Sequence, residues 1–167
     1  MTSSAQFLAS NLRLALGYAD GLARDIPADK FAFKPHPTIN HPAWCLGHLS
    51  LYPDRVFSGL LGRTDLARPN EAFTRLFEPG SKCLDDAKVY PAKDAIMKEL
   101  RDRHAAMLDY LATVDDEVMQ RPTTHERYAA RFPQIGHALH FLFANHIMMH
   151  LGQVSSWRRC IGLPSVM

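Results

Sequence analysis

Apolar residues recur at helical spacing in the first part of the chain. They follow i, i+4, i+7, i+11 and i+14 order, as Leu8, Leu12, Ala15, Ala19 and Leu22. Ser3 and Gln6 precede this run at the spacing of a capping box, in which each side chain bonds the backbone N–H of the other residue. The pattern predicts an amphipathic helix that begins after Ser3 and ends near Arg24.

A second helix is predicted from Pro42 to Gly62, after a proline-rich loop over residues 25–40. A proline fits the first helical position because the N–H that it lacks would have no helical partner there, and a glycine commonly ends a helix. Pro53 lies inside this helix and removes one backbone hydrogen bond. We therefore expect a kink just beyond His48.

The connector from Gly62 to Pro91 has scattered glycines and prolines and no repeat, with a short helical turn predicted at residues 74–77. At about 30 residues it is long for a compact domain, which is typical of a working loop. Such a connector can run the length of a helix, so the helices that it joins can lie parallel.

A third helix is predicted from about Ala92 to Val114 and a fourth from about Gln134 to Cys160, separated by a polar, irregular segment over residues 115–133. His104 lies in the apolar sector of the third helix and is interpreted as a hydrogen-bonded core histidine. Gly152 should cost the fourth helix about 1 kcal/mol against alanine, which predicts a close contact with another helix. Four long helices without a convincing strand predict an all-α bundle.

The composition is that of an ordinary soluble protein. The 167 residues suit a single domain, 1–167. A net charge of +2, with basic residues interleaved with acids, argues against a nucleic-acid partner. No run reaches the ~18 apolar residues of a membrane span.

The thiols and the N-terminal segment bear on the compartment. The three cysteines, Cys45, Cys83 and Cys160, include no C-x-x-C pair, which favours reduced thiols over a disulfide framework. The N-terminal segment has neither a basic leader nor a long apolar run, so no signal peptide is expected. We predict a cytoplasmic protein.

The candidate chemistry lies in the apolar stretch of residues 141–157, where His146 and His150 stand four residues apart. Four steps of about 100° return the second ring to within roughly 40° of the first on one helical face. Two imidazoles one turn apart are half of a transition-metal site. With 9 histidines in the chain, such a pair also arises by chance, so the spacing alone leaves metal ligands and core histidines both open.

Two longer motifs resemble a known family. The segments HPAWCLGHL, at residues 41–49, and HIMMHLGQVSSWRRCIGLP, at residues 146–164, resemble the DinB/YfiT-like superfamily, which includes bacillithiol and mycothiol S-transferases. The resemblance covers nearly the whole chain. It implies a four-helix bundle of up-down-down-up topology and a homodimer. It also implies one divalent metal ion, zinc or nickel, bound by His48, His146 and His150.

Three neutral imidazoles would leave the ion its positive charge and, for tetrahedral zinc, an open fourth position, which is the pattern of catalytic sites. Gln153 shares the ligand face, where it could support a ligand or make an interhelical hydrogen bond. Trp44 and Tyr52 share the face of His48 and are further candidates to surround the metal, although core packing is favoured for Trp44. Cys45 is interpreted as a small buried hydrophobe and not as a fourth ligand.

Other cofactors find no support in the sequence, because it has neither the paired Glu-x-x-His of a di-iron bundle nor the C-x-x-C-H of covalent haem. We therefore expect a metal-dependent enzyme that acts on a small molecule, by transfer of a low-molecular-weight thiol or by hydrolysis. Its metal should lie beneath a cleft lined by the 62–91 connector. The alternative is a non-catalytic metal-binding or ligand-binding stress-response protein. No catalytic residue or general base is predicted.

Overall fold

The computed structural model of the chain describes residues 3–166, with only the backbone of residue 127, and its long elements are all helical. In this described part there is no strand, and an isolated bridge joins Pro122 to Gln134. The predicted all-α class is therefore confirmed. None of the helices described between residues 3 and 166 is long and apolar enough to cross a membrane.

Helix α1, Ser4–Arg24, begins and ends as predicted. Gln6 donates its backbone N–H to Ser3 Oγ at 3.2 Å, and Ser3 donates its own to Gln6 Oε1 at 2.9 Å. The capping box is thus complete. The predicted apolar stripe is buried along its whole length, so α1 turns one face to the core.

The predicted second helix consists of two helices, α2 (Pro42–Ser50) and α3 (Tyr52–Gly59). They meet at Leu51, because the proline at the second position of α3 cannot continue the hydrogen-bond ladder. The interruption lies where the kink was expected, but Leu51 keeps helical backbone angles, φ −78° and ψ −21°. The predicted end at Gly62 is three residues too late. Gly62 lies beyond the helix at φ 65°, a conformation that glycine adopts freely.

The connector between α3 and the next long helix is partly helical. Helix α4, Glu71–Phe77, extends the turn predicted at residues 74–77, and a 3-10 turn follows at Ala87–Val89. Phe77 is fully buried against Gly47, where an added Cβ would lie 2.6 Å from the phenyl ring. This close approach fixes the end of α4 against α2.

Helix α5, Lys93–Thr113, matches the prediction to within one residue at each end. His104 is 1% exposed, and its Nδ1 lies 2.8 Å from the carbonyl of Leu100. Its ring meets the Phe143 ring edge-on at 5.9 Å. This environment is that of a core histidine.

The segment predicted as irregular contains two short helices, α6 (Asp116–Gln120) and α7 (Glu126–Ala129). Neither is long enough to show a helical period, which explains why the sequence pattern missed them. Asp116 Oδ1 accepts a hydrogen bond from the backbone N–H of Ser4 at 3.1 Å. Helix α6 is thereby tied to the start of α1.

The predicted fourth helix is continuous but changes pitch. Helix α8, Ile135–His140, passes into a π-helical segment, Phe141–His146, and then into α9, Ile147–Cys160. Bonds of the i→i+5 type widen the helix over this segment. The side chains beyond it therefore point in other directions than an uninterrupted α-helix would give.

The predicted close contact of Gly152 with another helix is wrong. A Cβ added there would have no atom within 4 Å, so no helix approaches it. The glycine lies instead at an open groove, beside Met149 and Ser156. The sequence pattern identified a residue with low helix propensity, but it could not show that this residue faces solvent.

The long helices pack in pairs, α1 against α5 and α9, and α2 against the same two helices. Buried Arg158 of α9 donates to the carbonyls of Leu22 at 2.7 Å and Pro164 at 2.9 Å, and forms an ion pair with Asp25. These bonds hold the segment after α9 against the end of α1. The interface of α2 with α9 contains the candidate site.

Candidate metal centre

Three histidines meet between α2 and the fourth helical segment. His48, His146 and His150 are buried, at 4%, 7% and 6% exposure. Each contributes one ring nitrogen to a group whose atoms lie within 4.8 Å of one another. Residues nearly a hundred positions apart are thus placed around one point, as the resemblance implied.

His48 has a defined tautomer. Its Nδ1 lies 2.7 Å from the carbonyl oxygen of Phe77, at the end of α4. Because a carbonyl only accepts, Nδ1 carries the hydrogen and Nε2 keeps the lone pair. Tyr52 Oη lies 3.1 Å from this Nε2 and donates to it. Nε2 is therefore the atom of His48 that is able to bind a metal.

His146 and His150 face each other through Nε2, and these two atoms are 3.2 Å apart. Two nitrogens bound to one tetrahedral ion at about 2.1 Å would be roughly 3.4 Å apart, so the spacing fits a shared metal. Both Nδ1 atoms are buried without a hydrogen-bond partner among the described residues. No backbone carbonyl orients these two rings, which are held by packing and by their own Nε2–Nε2 contact.

Burial keeps the three rings neutral. It lowers the pKa of His48 to about 4, although the bond to the Phe77 carbonyl opposes the change. Burial also lowers the pKa of His146 to about 3, helped by the charges that His150 and His48 would carry. The pKa of His150 is lowered by burial too, with the Gln153 side chain acting in the opposite direction. At neutral pH the site offers uncharged imidazoles, the form that binds metal ions.

Two aromatic side chains enclose the histidines. The Trp44 and His48 rings are stacked, 4.8 Å between centroids and 9° from parallel, and Trp44 Nε1 donates to Ser81 Oγ at 3.0 Å. The Tyr52 and His146 rings lie 4.4 Å apart. Trp44 is buried in the hydrophobic core, as favoured from the sequence, and it also covers one face of the His48 ring.

Gln153 makes the interhelical contact that the sequence left as one of two alternatives. Its Oε1 accepts from Asn40 Nδ2 at 3.3 Å and from Cys45 Sγ at 3.5 Å, which joins α9 to α2. It lies near His150 and favours the charged ring, but no described group is within good hydrogen-bond geometry of Nδ1 of His150. The Cys45 thiol is fully buried, and burial raises its pKa, as expected for a small hydrophobe.

Within residues 3–166, no cysteine or carboxylate joins the three histidines in this group. A cavity of about 210 Å³ reaches His146 and Tyr52. Its other walls come from residues 128–142, not from the 62–91 connector as predicted. The connector lines a different cavity, along α3 and α5. It contributes to the site through the Ser81 hydroxyl, which accepts from Trp44, and the carbonyl of Phe77. The carbonyl is a backbone group for which the sequence carries no signal.

A sequence model of the DinB superfamily matches residues 11–154. The chain belongs to the DinB superfamily. The crystal structure of a conserved protein from Enterococcus faecalis is similar to this DinB chain, at 15% identity and a TM-score of 0.73. The alignment covers 96% of this chain and 98% of the other, so the two share a fold. A comparison with curated proteins gave no match.

Proposed function

We propose that this DinB protein is a metal-dependent enzyme whose His48, His146 and His150 bind one divalent ion, zinc or nickel. The observation that carries the proposal is the convergence of three buried, neutral imidazoles with no fourth ligand among the described residues. An ion held there would supply the positive charge that lowers the pKa of a small thiol or a water molecule. A site that served only to stabilise the fold would be expected to be closed by four protein ligands.

The reaction that we favour is transfer of a low-molecular-weight thiol to an electrophilic small molecule, with hydrolysis as the variant. The thiol is external in this proposal, because none of the chain's cysteines belongs to the histidine group. Cys45 is turned towards Gln153, and Cys160 is exposed. The acceptor molecule would enter through the cavity beside His146.

The chain's own groups would orient and cover the site. The Phe77 carbonyl keeps the hydrogen of His48 on Nδ1, and Trp44 covers one face of the same ring. The Tyr52 hydroxyl and a metal ion compete for the same lone pair of His48. Tyr52 must therefore turn aside when the ion binds, and its hydroxyl would then lie next to the reacting molecule.

We further propose the up-down-down-up arrangement for the bundle. Lys93, at the start of α5, donates to the carbonyl of Ile26 just beyond the end of α1 at 2.7 Å, which supports opposite directions for these two helices. Arg158, near the end of α9, bonds Leu22 near the end of α1, which supports a common direction. A homodimer and a cytoplasmic location remain proposals, and light scattering at micromolar concentration would test the first.

The deciding experiment combines metal analysis with a cobalt-substituted sample. The purified protein should contain about one divalent ion per chain. Small thiols should change the visible spectrum of the cobalt form, and the metal-loaded protein should join a thiol to a chlorinated aromatic compound or an epoxide. Chelation should abolish this activity, and zinc or nickel should restore it. If metal binds but no thiol changes the spectrum, thiol transfer is wrong and hydrolysis or non-catalytic metal binding replaces it.

A further inference from the structure

We infer that the cavity beside His146 binds a small aromatic carboxylate, with Arg131 contacting the carboxylate group. The inference names a substrate class for the proposed enzyme. It rests on the proposed function only in placing the reaction of the bound molecule at the metal. It is drawn from the rings that line the cavity and from its charge.

Aromatic rings form a continuous surface from His146 outwards. The Phe141 ring lies 6.0 Å from the His146 ring, and the Phe132 ring lies 5.0 Å from that of Phe141. Tyr128 follows at 6.3 Å from Phe132, while Tyr52 forms the wall next to His146. These separations lie in the range at which aromatic rings attract one another, so a planar ring laid against this surface would gain similar contacts.

The charge of the cavity is positive. Of the described side chains that line it, Arg131 is the charged one, and none of them is an acid. Among the residues that the structure describes, Arg131 makes no side-chain hydrogen bond or ion pair. By contrast, the cavity of about 230 Å³ along α3 and α5 is lined by Asp54 and Glu99 as well as Arg55. Of these two cavities, the one beside His146 has the charge suited to an anion.

The turn after α7 brings the guanidinium and the aromatic wall to the same place. The backbone N–H groups of Arg131 and Phe132 both donate to the carbonyl of Tyr128, at 3.0 Å and 2.8 Å. A carboxylate matches the fork of a guanidinium, which can donate two hydrogen bonds to it. With its carboxylate at Arg131 and its ring against Phe132 and Phe141, a ligand would direct its far end towards His146.

The test measures binding of cinnamate and of neutral cinnamyl alcohol to the full chain by isothermal titration calorimetry. In Arg131→Gln, cinnamate should bind about fivefold more weakly, as expected for loss of one partly screened charged contact, while cinnamyl alcohol is unaffected. The matched control is Arg13→Gln, which removes an exposed arginine of α1 and should change neither ligand. Unchanged cinnamate binding in Arg131→Gln would overturn the inference.

The aromatic wall has its own variants. Phe132→Ala should weaken cinnamate and cinnamyl alcohol by similar factors, because both present the same ring. Since the alanine variant could lose the turn after α7, Phe132→Leu keeps an apolar side chain there and should give a smaller loss of the same kind. If Phe132→Leu is folded by circular dichroism and both Phe132 variants bind both ligands as the wild type does, the ring does not lie in this cavity and the inference fails.

Measurements with metal-loaded and chelator-treated protein separate this inference from the proposed function. A carboxylate could bind the ion itself. In that case cinnamate binding disappears on chelation and is indifferent to Arg131→Gln, which overturns the inference and leaves the metal site intact. If the protein binds no metal but cinnamate still depends on Arg131, the proposed function fails and the inference holds.

Discussion

Two of the regions that contain buried histidines, α5 and the group of three histidines, differ in what surrounds these rings. His104 of α5 and His48 of α2 are similarly inaccessible, and burial lowers the pKa of each to about 4. Both use Nδ1 to bond a backbone carbonyl. His104, however, packs edge-on against Phe143, whereas His48 meets two further imidazoles. Burial and a lowered pKa are therefore common to both regions, and the three proposed ligands are distinguished by the convergence of their ring nitrogens.

The largest expected effect comes from removing one of the converging rings. His146→Ala should weaken metal binding by more than about 100-fold, since loss of a ligand exceeds the effect usual for supporting groups. His104→Leu and His137→Ala, which remove a core and an exposed histidine, should retain the ion. Metal content after dialysis against a weak chelator provides the measurement. Equal retention in all three variants would contradict the difference between the two regions.

The second prediction concerns acid stability. The unfolded chain protonates His104 near its ordinary pKa of 6.5, but the folded chain only near 4. Between these values the unfolded state binds more protons, so the free energy of unfolding falls as the pH falls, by up to about 3 kcal/mol from this residue. Urea unfolding of the chelator-treated protein at pH 7 and pH 5 should show a smaller loss in His104→Leu than in the wild type.

That loss is a difference between two pH values, so any constant cost of the leucine cancels from it. Identical losses in His104→Leu and the wild type would mean that His104 is not held neutral by its surroundings.

A smaller effect is expected from the hydroxyl that bonds Nε2 of His48. Tyr52→Phe removes a donor that competes with the ion for this lone pair, and one hydrogen bond of about 1 kcal/mol corresponds to about fivefold tighter metal binding. Competition with a coloured chelator measures this change. Tyr110→Phe, on α5 against Phe57, is the control and should bind metal as the wild type does. Weaker binding in Tyr52→Phe would instead make the hydroxyl a supporting group of the metal.

The smallest effect should follow from the thiol nearest to the site. Cys45→Ala removes a side chain that contacts Gln153 and does not belong to the histidine group, so the metal content should stay the same. A variant without any of the three cysteines should behave likewise. Metal analysis of both variants decides the point, and release of the ion from Cys45→Ala alone would place the thiol in the coordination sphere.

Local patterns predicted the parts of this structure that depend on local interactions. The capping box at Ser3 and the length of α5 follow from residues close in sequence, and the His146 and His150 pair follows from helical spacing. His48 was found by its motif, because no local rule joins α2 to α9. Phe77 could not be predicted as a supporting group, since a backbone carbonyl has no identity in the sequence.

Three other features depended on tertiary packing. The π-helical segment, Phe141–His146, contains no proline or glycine that would predict a change of pitch. Helix α7 is too short to show a period, so the position of Arg131 beside the site was not foreseen. Gly152 was assigned a close neighbour that it does not have, because helix cost alone does not distinguish a packed surface from an open one.

The π-helical segment has a consequence for insertions and deletions. A π-helical turn holds one residue more than an α-helical turn, so deleting one residue within 141–145 would restore ordinary pitch and leave the later side chains in place. If the segment took ordinary pitch at its full length, all later side chains would instead rotate by about 100° relative to α8. His146 and His150 would still stand one turn apart, but they would no longer be aimed at His48. The motif would then survive intact in a chain that had lost its site. The length and pitch of the π-helical segment therefore set the directions in which the later side chains point, independently of the residues that bind.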